Sequence, residues 1–107
     1  MGVGFVLDGD GIVCLDLDHA LEDGRPVEWA AQLLARLPAT YVEVSPSGTG
    51  LHVWGRARVV RGRRIRDGVR SVEIYGTGRY ITVTGRRWRG ASSRLADLDA
   101  VVAELLA

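Results

Sequence analysis

The sequence predicts an α+β fold: a mostly antiparallel sheet covered by two helices. Short runs of alternating apolar and polar residues recur along the chain, and turn-rich Gly, Asp and Pro clusters separate them. Two stretches, one in the first third and one at the end, instead carry apolar residues at helical spacing. The connections are short, which favours antiparallel neighbours and a layer of strands under a layer of helices. With 107 residues, 47% of them hydrophobic and 25% charged, there is material for one core, so positions 1–107 read as a single domain of moderate stability.

The elements follow in order. Residues 4–7 and 12–18 predict a hairpin, because the Asp8-Gly9-Asp10-Gly11 connection supplies the positive φ angles of a tight turn. Asp8 and Asp10 are then turn residues. From Pro26, the spacing of Trp29, Ala30, Leu33, Leu34 and Leu37 predicts an amphipathic helix that Pro38 ends. Residues 40–45 and 51–55 predict a strand pair around the turn Ser45-Pro46-Ser47-Gly48-Thr49-Gly50. The Arg-rich, Gly-interrupted stretch from Arg56 to Arg70 is too polar for a core element and reads as an exposed arm between strands. Residues 71–85 alternate on both sides of Gly76-Thr77-Gly78, predicting a second hairpin. In it Val72 and Ile74 face the core with Ile81 and Val83, and Glu73, Tyr75, Thr82 and Thr84 face away. Leu95, Leu98, Val101, Val102, Leu105 and Leu106 mark a closing helix with Ser92 or Ser93 near its start.

Three of these runs end on groups that can hold metal or phosphate. In a strand, Asp16 and Asp18 project from one face, roughly 7 Å apart along the chain. Two adjacent carboxylates repel each other, and an oxygen-only pair suits Mg²⁺ or Mn²⁺; the plainer alternative is a solvated strand end. In the second run, Ser47, Gly48 and Thr49 can turn hydroxyls and backbone N–H groups toward an anion, with His52 at the mouth of the turn. The alternative there is an ordinary hairpin turn with a satisfied histidine. Glu73 is a candidate third carboxylate, or else an exposed cross-strand partner for an arginine such as Arg79.

Charge is segregated along the chain. Residues 1–55 hold 2 Arg against 8 acidic residues, residues 56–94 hold 12 Arg against 2 acidic ones, and the remainder holds 3 acidic residues and no basic one. Arg61, Arg63, Arg64 and Arg66 in the basic stretch suit the phosphates of a nucleic-acid strand; a charged solubilising loop is the alternative. After the last predicted strand comes Arg86-Arg87-Trp88-Arg89, in which Arg87 could hold phosphate while Trp88 stacks on an unpaired base. Trp88 could equally pack over the core edge beneath its arginines.

These three runs, in this order, resemble the motifs of the archaeo-eukaryotic primase superfamily, and most closely the primase-polymerase domains of phage and plasmid replication proteins. Leu15-Asp16-Leu17-Asp18-His19 matches the paired-aspartate motif, Ser45 through His52 the histidine motif, and Val72-Glu73-Ile74-Tyr75 with Gly78 through Gly85 the third, so the resemblance covers roughly positions 2–85. It implies an RRM-like core acting as a template-directed nucleotidyl transferase. Asp16, Asp18 and Glu73 would be the catalytic metal ligands for Mg²⁺ or Mn²⁺, with His52 and Arg79 on the phosphates of a nucleoside triphosphate. The expected partners are a DNA template and nucleoside triphosphates. Family members generally carry structure before the aspartates and a helical segment after the core, often with a fused helicase, so a helicase or helical primase subunit on a separate chain is a further expected partner.

Nothing resembles a signal peptide or a membrane-spanning run, which predicts a cytoplasmic protein without a membrane partner. The single Cys14 lies in an apolar run and reads as a buried thiol, and one Cys with two His argues against structural zinc. Two further classes stand beside the enzyme. One is a non-catalytic nucleotide- and single-strand-binding module that serves a helicase or polymerase. The other, an RNA-binding RRM, lacks the paired aromatics of a stacking strand.

Overall fold

The computed structural model describes residues 3–58 and 62–107, the Val3 side chain excepted. In chain order the elements are β1 (Val3–Asp8), β2 (Ile12–Leu17), β3 (Leu21–Glu22), β4 (Arg25–Pro26), α1 (Glu28–Arg36), β5 (Val42–Val44) and β6 (Leu51–Arg56). They continue with β7 (Arg63–Asp67), β8 (Arg70–Tyr75), β9 (Thr77–Val83), β10 (Ala96–Asp97) and α2 (Asp99–Leu106). The α+β class and the two covering helices are as the sequence predicts. No helix among the described residues is long and apolar enough to cross a membrane.

The main sheet runs β10-β6-β2-β8-β7, with β5 added beside β6. Every pairing in it is antiparallel except that of β10 with β6. Period-two alternation decides its two faces. Val13, Leu15 and Leu17 of β2, Leu51 and Val53 of β6 and Val72 and Ile74 of β8 are buried under the helices. Onto them α1 lowers Ala30 and Leu33, and α2 lowers Val101, Val102 and Leu105. An Arg36–Glu104 ion pair joins the two helices. Each fully buried aliphatic side chain contributes about 1.5–3 kcal/mol, so this layer is the main source of stability.

The opposite face is only half covered. There β1 and β9 form a separate antiparallel ribbon, from Val3 opposite Val83 to Asp8 opposite Thr77. Leu7 and Ile81 press on Cys14 and Trp54, with Phe5, Tyr41, Tyr75 and Val83 around them. Burial raises the Cys14 thiol well above its usual range, as does the negative charge of Asp16 and Glu43.

This ribbon overturns both predicted hairpins. The 4–7 run does not pair with the 12–18 run, because both edges of β2 are taken by β6 and β8. The turn glycines do adopt positive φ, 87° at Gly9 and 98° at Gly11, but they carry the chain out of one sheet into the other. In the same way β8 lies between β2 and β7, so β9 crosses at Gly76 and finds β1. Gly9 donates to the Gly76 carbonyl at 3.2 Å, fastening the two crossing points together. Ile81 and Val83 thus belong to the second cluster, on the far side of the sheet from Val72 and Ile74.

The Arg56–Arg70 stretch is also not wholly a loop. Residues 63–67 form edge strand β7, joined to β8 by a tight turn with Gly68 at φ 62°. Its one apolar residue, Ile65, packs on the helix-side core. Charged flanks suit an exposed sheet edge, where they discourage pairing with another chain. The predicted arm's Arg61 lies outside the described residues.

The last helix begins at Asp99 rather than near Ser92, because residues 96–97 first pair with Gly55 and Arg56. Asp97 Oδ1 accepts from the Asp99 N–H at 2.8 Å. A Cβ at Gly55 would stand 2.4 Å from Leu98 Cδ1 and 2.7 Å from the Ala96 carbonyl, so this docking requires glycine.

Candidate metal and nucleotide site

Five residues form one row across the sheet face turned away from the helices, with Glu43, His52 and Glu73 buried and Asp16 and Arg64 more exposed. Cα register places Arg64 opposite Glu73, Glu73 opposite Asp16, Asp16 opposite His52, and His52 opposite Glu43. Directly opposed side chains share a face, so all five emerge together. Arg64 Nε lies 2.9 Å from Glu73 Oε1, His52 Nε2 lies 3.9 Å from Asp16 Oδ1, and His52 Nδ1 lies 3.1 Å from Glu43 Oε2. Asp18 stands two residues beyond Asp16 on the same side, its Oδ2 accepting from Ser71 Oγ at 3.4 Å. Glu73 thus shares a face with both aspartates.

The electrostatics single out Asp16. Burial raises its carboxyl to about 6, the charge of Asp18 and Glu73 adds to the rise, and His52 opposes it. A carboxylate whose ionisation is opposed by burial and like charge is a place where a cation can offset that charge. These oxygens fit a hard divalent ion. Glu73 is committed differently, because its carboxylate is engaged by Arg64. Among the described residues, no three His, Cys, Asp or Glu side chains stand close enough together to form a metal-holding group. Asp16 and Asp18 are thus a pair of oxygen donors of the hard type, and the third carboxylate, Glu73, is held by Arg64.

The phosphate candidates fall into two places. Ser47, Gly48 and Thr49 lie in the β5–β6 turn, where Gly48 has φ 81°. Their hydroxyls are chained, Ser45 Oγ to Ser47 Oγ and Ser47 Oγ to Thr49 Oγ1, both at 3.0 Å. Gly50 sits against the Leu17 carbonyl, so the turn stands at the end of β2 that carries Asp18. Arg79 is elsewhere, across β8 in a cavity of about 430 Å³ with Glu73, Arg63 and Arg64. Its guanidinium lies 4.4 Å above the Tyr75 ring and donates to Tyr75 Oη at 3.1 Å. Tyr80 is exposed on the ribbon.

Of the arginines proposed for DNA, Arg64 flanks Glu73, and Arg66 lines a cavity of about 220 Å³ with Asp18, Arg70 and Ser71. Arg87 pairs with Glu43 through the backbone, in an isolated antiparallel bridge at the other end of the row. Trp88 lies away from this face, packed against the helix-side core beside Leu34, Leu37 and Val42, with Arg89 over its ring at 4.8 Å. Core packing, the second of the two sequence readings, describes its position.

Sequence reasoning passed over Glu43 and Tyr41, and named Arg86 only as a member of the second basic cluster. Glu43 is fully buried yet charged, and both its oxygens are saturated. Oε1 accepts from Tyr41 Oη and the Gly85 N–H, both at 3.0 Å; Oε2 accepts from the Thr84 N–H at 3.1 Å and lies 3.1 Å from His52 Nδ1. Burial pushes the Glu43 carboxyl up, but bonds from His52, Gly85, Thr84 and Tyr41 outweigh it and hold it below the usual range. Tyr41 is raised to about 12, by burial first and then by its bond to Glu43. Arg86 donates to the Ser45 carbonyl at 2.8 Å, setting a cation beside the phosphate-type turn. A signal for Glu43 existed, since Val42 and Val44 facing the helices put it on the face of His52.

No protein-family model matches the chain. Over 104 residues, 92% of its length, it is 41% identical to the DNA primase-polymerase of Nitratiruptor phage NrS-1. The chain is related to a segment of that protein. It spans 14% of that protein's length.

Proposed function

We propose that this chain is the catalytic core of an archaeo-eukaryotic-type primase-polymerase, joining nucleotides on a DNA template in phage or plasmid replication. The observation that carries the reading is the row of Asp16, Glu73 and His52 on the sheet face turned away from the helices, in a chain related to a phage primase-polymerase. Asp16 and Asp18, joined by Glu73, would hold Mg²⁺ or Mn²⁺. Such a cation, when bound, supplies charge neutralisation for an attacking 3′-oxygen and a departing pyrophosphate.

The remaining work belongs to the chain's own groups. Ser47, Gly48 and Thr49 orient a triphosphate by hydroxyl and N–H donation, with Arg86 adding positive charge. His52 Nε2 meets the nucleotide beside Asp16, and Arg79 neutralises phosphate on the Glu73 side. Arg64 and Arg66 on the sheet edge hold template phosphates, and Arg87 extends that charge beyond Glu43. Catalysis in this scheme is chiefly positioning and charge stabilisation.

The test is primer synthesis and extension with Mn²⁺ or Mg²⁺ by the wild type, Asp16→Ala and Asp18→Ala. Activity lost in both substitutions supports the mechanism, and activity surviving both refutes it. The Arg64–Glu73 ion pair favours a second reading, a nucleotide- and single-strand-binding module without turnover that acts with a helicase or polymerase. Triphosphate and DNA binding without synthesis would select it.

A further inference from the structure

We propose that Glu43 is a positioning residue that fixes the tautomer and aim of His52, so that Nε2 is the nitrogen presented to the nucleotide. The inference rests on the nucleotidyl-transfer reading for its consequence, but its geometry is independent of that reading.

The argument is one of elimination among hydrogen-bond partners. Thr84 and Gly85 meet Glu43 through backbone N–H groups, which can only donate. With Tyr41 Oη also donating and the carboxyl held ionised, Glu43 acts as an acceptor at both oxygens. His52 Nδ1, 3.1 Å from Oε2, must therefore carry a proton. Nε2 is then the nitrogen left for a ligand, and it points toward Asp16 at 3.9 Å. The ring is held on its other side as well, its centroid 6.3 Å from that of Trp54 in an edge-on arrangement. Carboxylates that hold a working histidine by its second nitrogen orient the ring and select the tautomer.

The same carboxylate ties distant parts of the chain to His52. Through Thr84 and Gly85 it holds the end of β9, from which Arg86 and Arg87 return to the site. Glu43 thus sets the histidine and the arrival of two arginines together.

The experiment begins with ¹⁵N nuclear magnetic resonance of the wild-type histidines at alkaline pH, with His52→Ala used to assign His52. The expected result is a protonated Nδ1 and a bare Nε2 for neutral His52. An Nε2–H tautomer would overturn the proposal, whether or not any variant folds. Glu43→Gln is then compared in wild-type and His52→Ala backgrounds by steady-state primer extension. The expectation is a loss of about 10- to 100-fold in kcat/KM for the nucleotide in the first background and little further loss in the second. Equal losses in both backgrounds would overturn it. A wild type that makes no product sinks the primase reading, while the tautomer measurement still decides the role of Glu43.

Discussion

Glu43 and Asp16 lie on the same face of one sheet, on either side of His52, yet their carboxyls shift in opposite directions. Both are taken largely out of water, so burial alone does not separate them. The difference is in partners: Glu43 accepts four donated hydrogen bonds, whereas Asp16 faces Asp18 and Glu73 and is eased only by His52. A saturated carboxylate fastens structure, and one surrounded by like charge is poised to accept a cation.

The strongest way to break this contrast is to remove each carboxylate. Asp16→Ala and Asp18→Ala should each lower primer extension by at least about 100-fold with the fold intact, judged by circular dichroism. Glu43→Ala should instead lose stability, by about 2–4 kcal/mol in urea unfolding, because buried His52 and three partly buried groups, Tyr41 Oη and the Thr84 and Gly85 N–H groups, are left without their partner. Comparable loss of folding in the Asp16 variant would erase the distinction.

The pH dependence sharpens it. A carboxyl raised to about 6 in the fold favours folding while protonated, so stability from Asp16 falls as pH climbs from its ordinary value near 3.8 through about 6. Glu43 has the opposite sign, contributing stability above its ordinary value of 4.5 that is lost as pH falls through its depressed folded value. In chelator, Asp16→Asn should therefore match the wild type near pH 4 and exceed it near pH 7 by on the order of 1 kcal/mol after solvent screening, or about 5 °C in Tm. Added Mn²⁺ should raise the Tm of the wild type and leave that of Asp16→Asn unmoved. A calorimetric scan over pH checks both statements.

The smallest effect is expected at Arg64, which is more than half exposed. Arg64→Ala should change stability by less than about 1 kcal/mol, reduce the salt slope of DNA binding by about 1, and release Glu73. Unchanged salt dependence would remove Arg64 from the template surface.

Much of the site was legible in the linear chain. Alternation in Ile12–Leu17, Leu51–Arg56 and Arg70–Tyr75 already separates Asp16, His52 and Glu73 from the apolar residues beneath them. The helical spacing before Pro38 likewise marks α1, observed over Glu28–Arg36. Glu43 was passed over because a lone Glu between valines does not reveal that three of its four donors, Thr84, Gly85 and His52, arrive from elsewhere in the chain.

Residue order settled which face each side chain takes, since alternation along a strand and the 3.6-residue turn of a helix are properties of the local backbone. The folded molecule settled which strands meet. β1 and β9 left their sequence neighbours because β2 and β8 already had a partner on each edge, and no local signal records that competition. The separate fates of two similar acids, Glu43 and Asp16, were decided there too, because the donors and charges that surround a carboxyl come from whichever strands are brought alongside it.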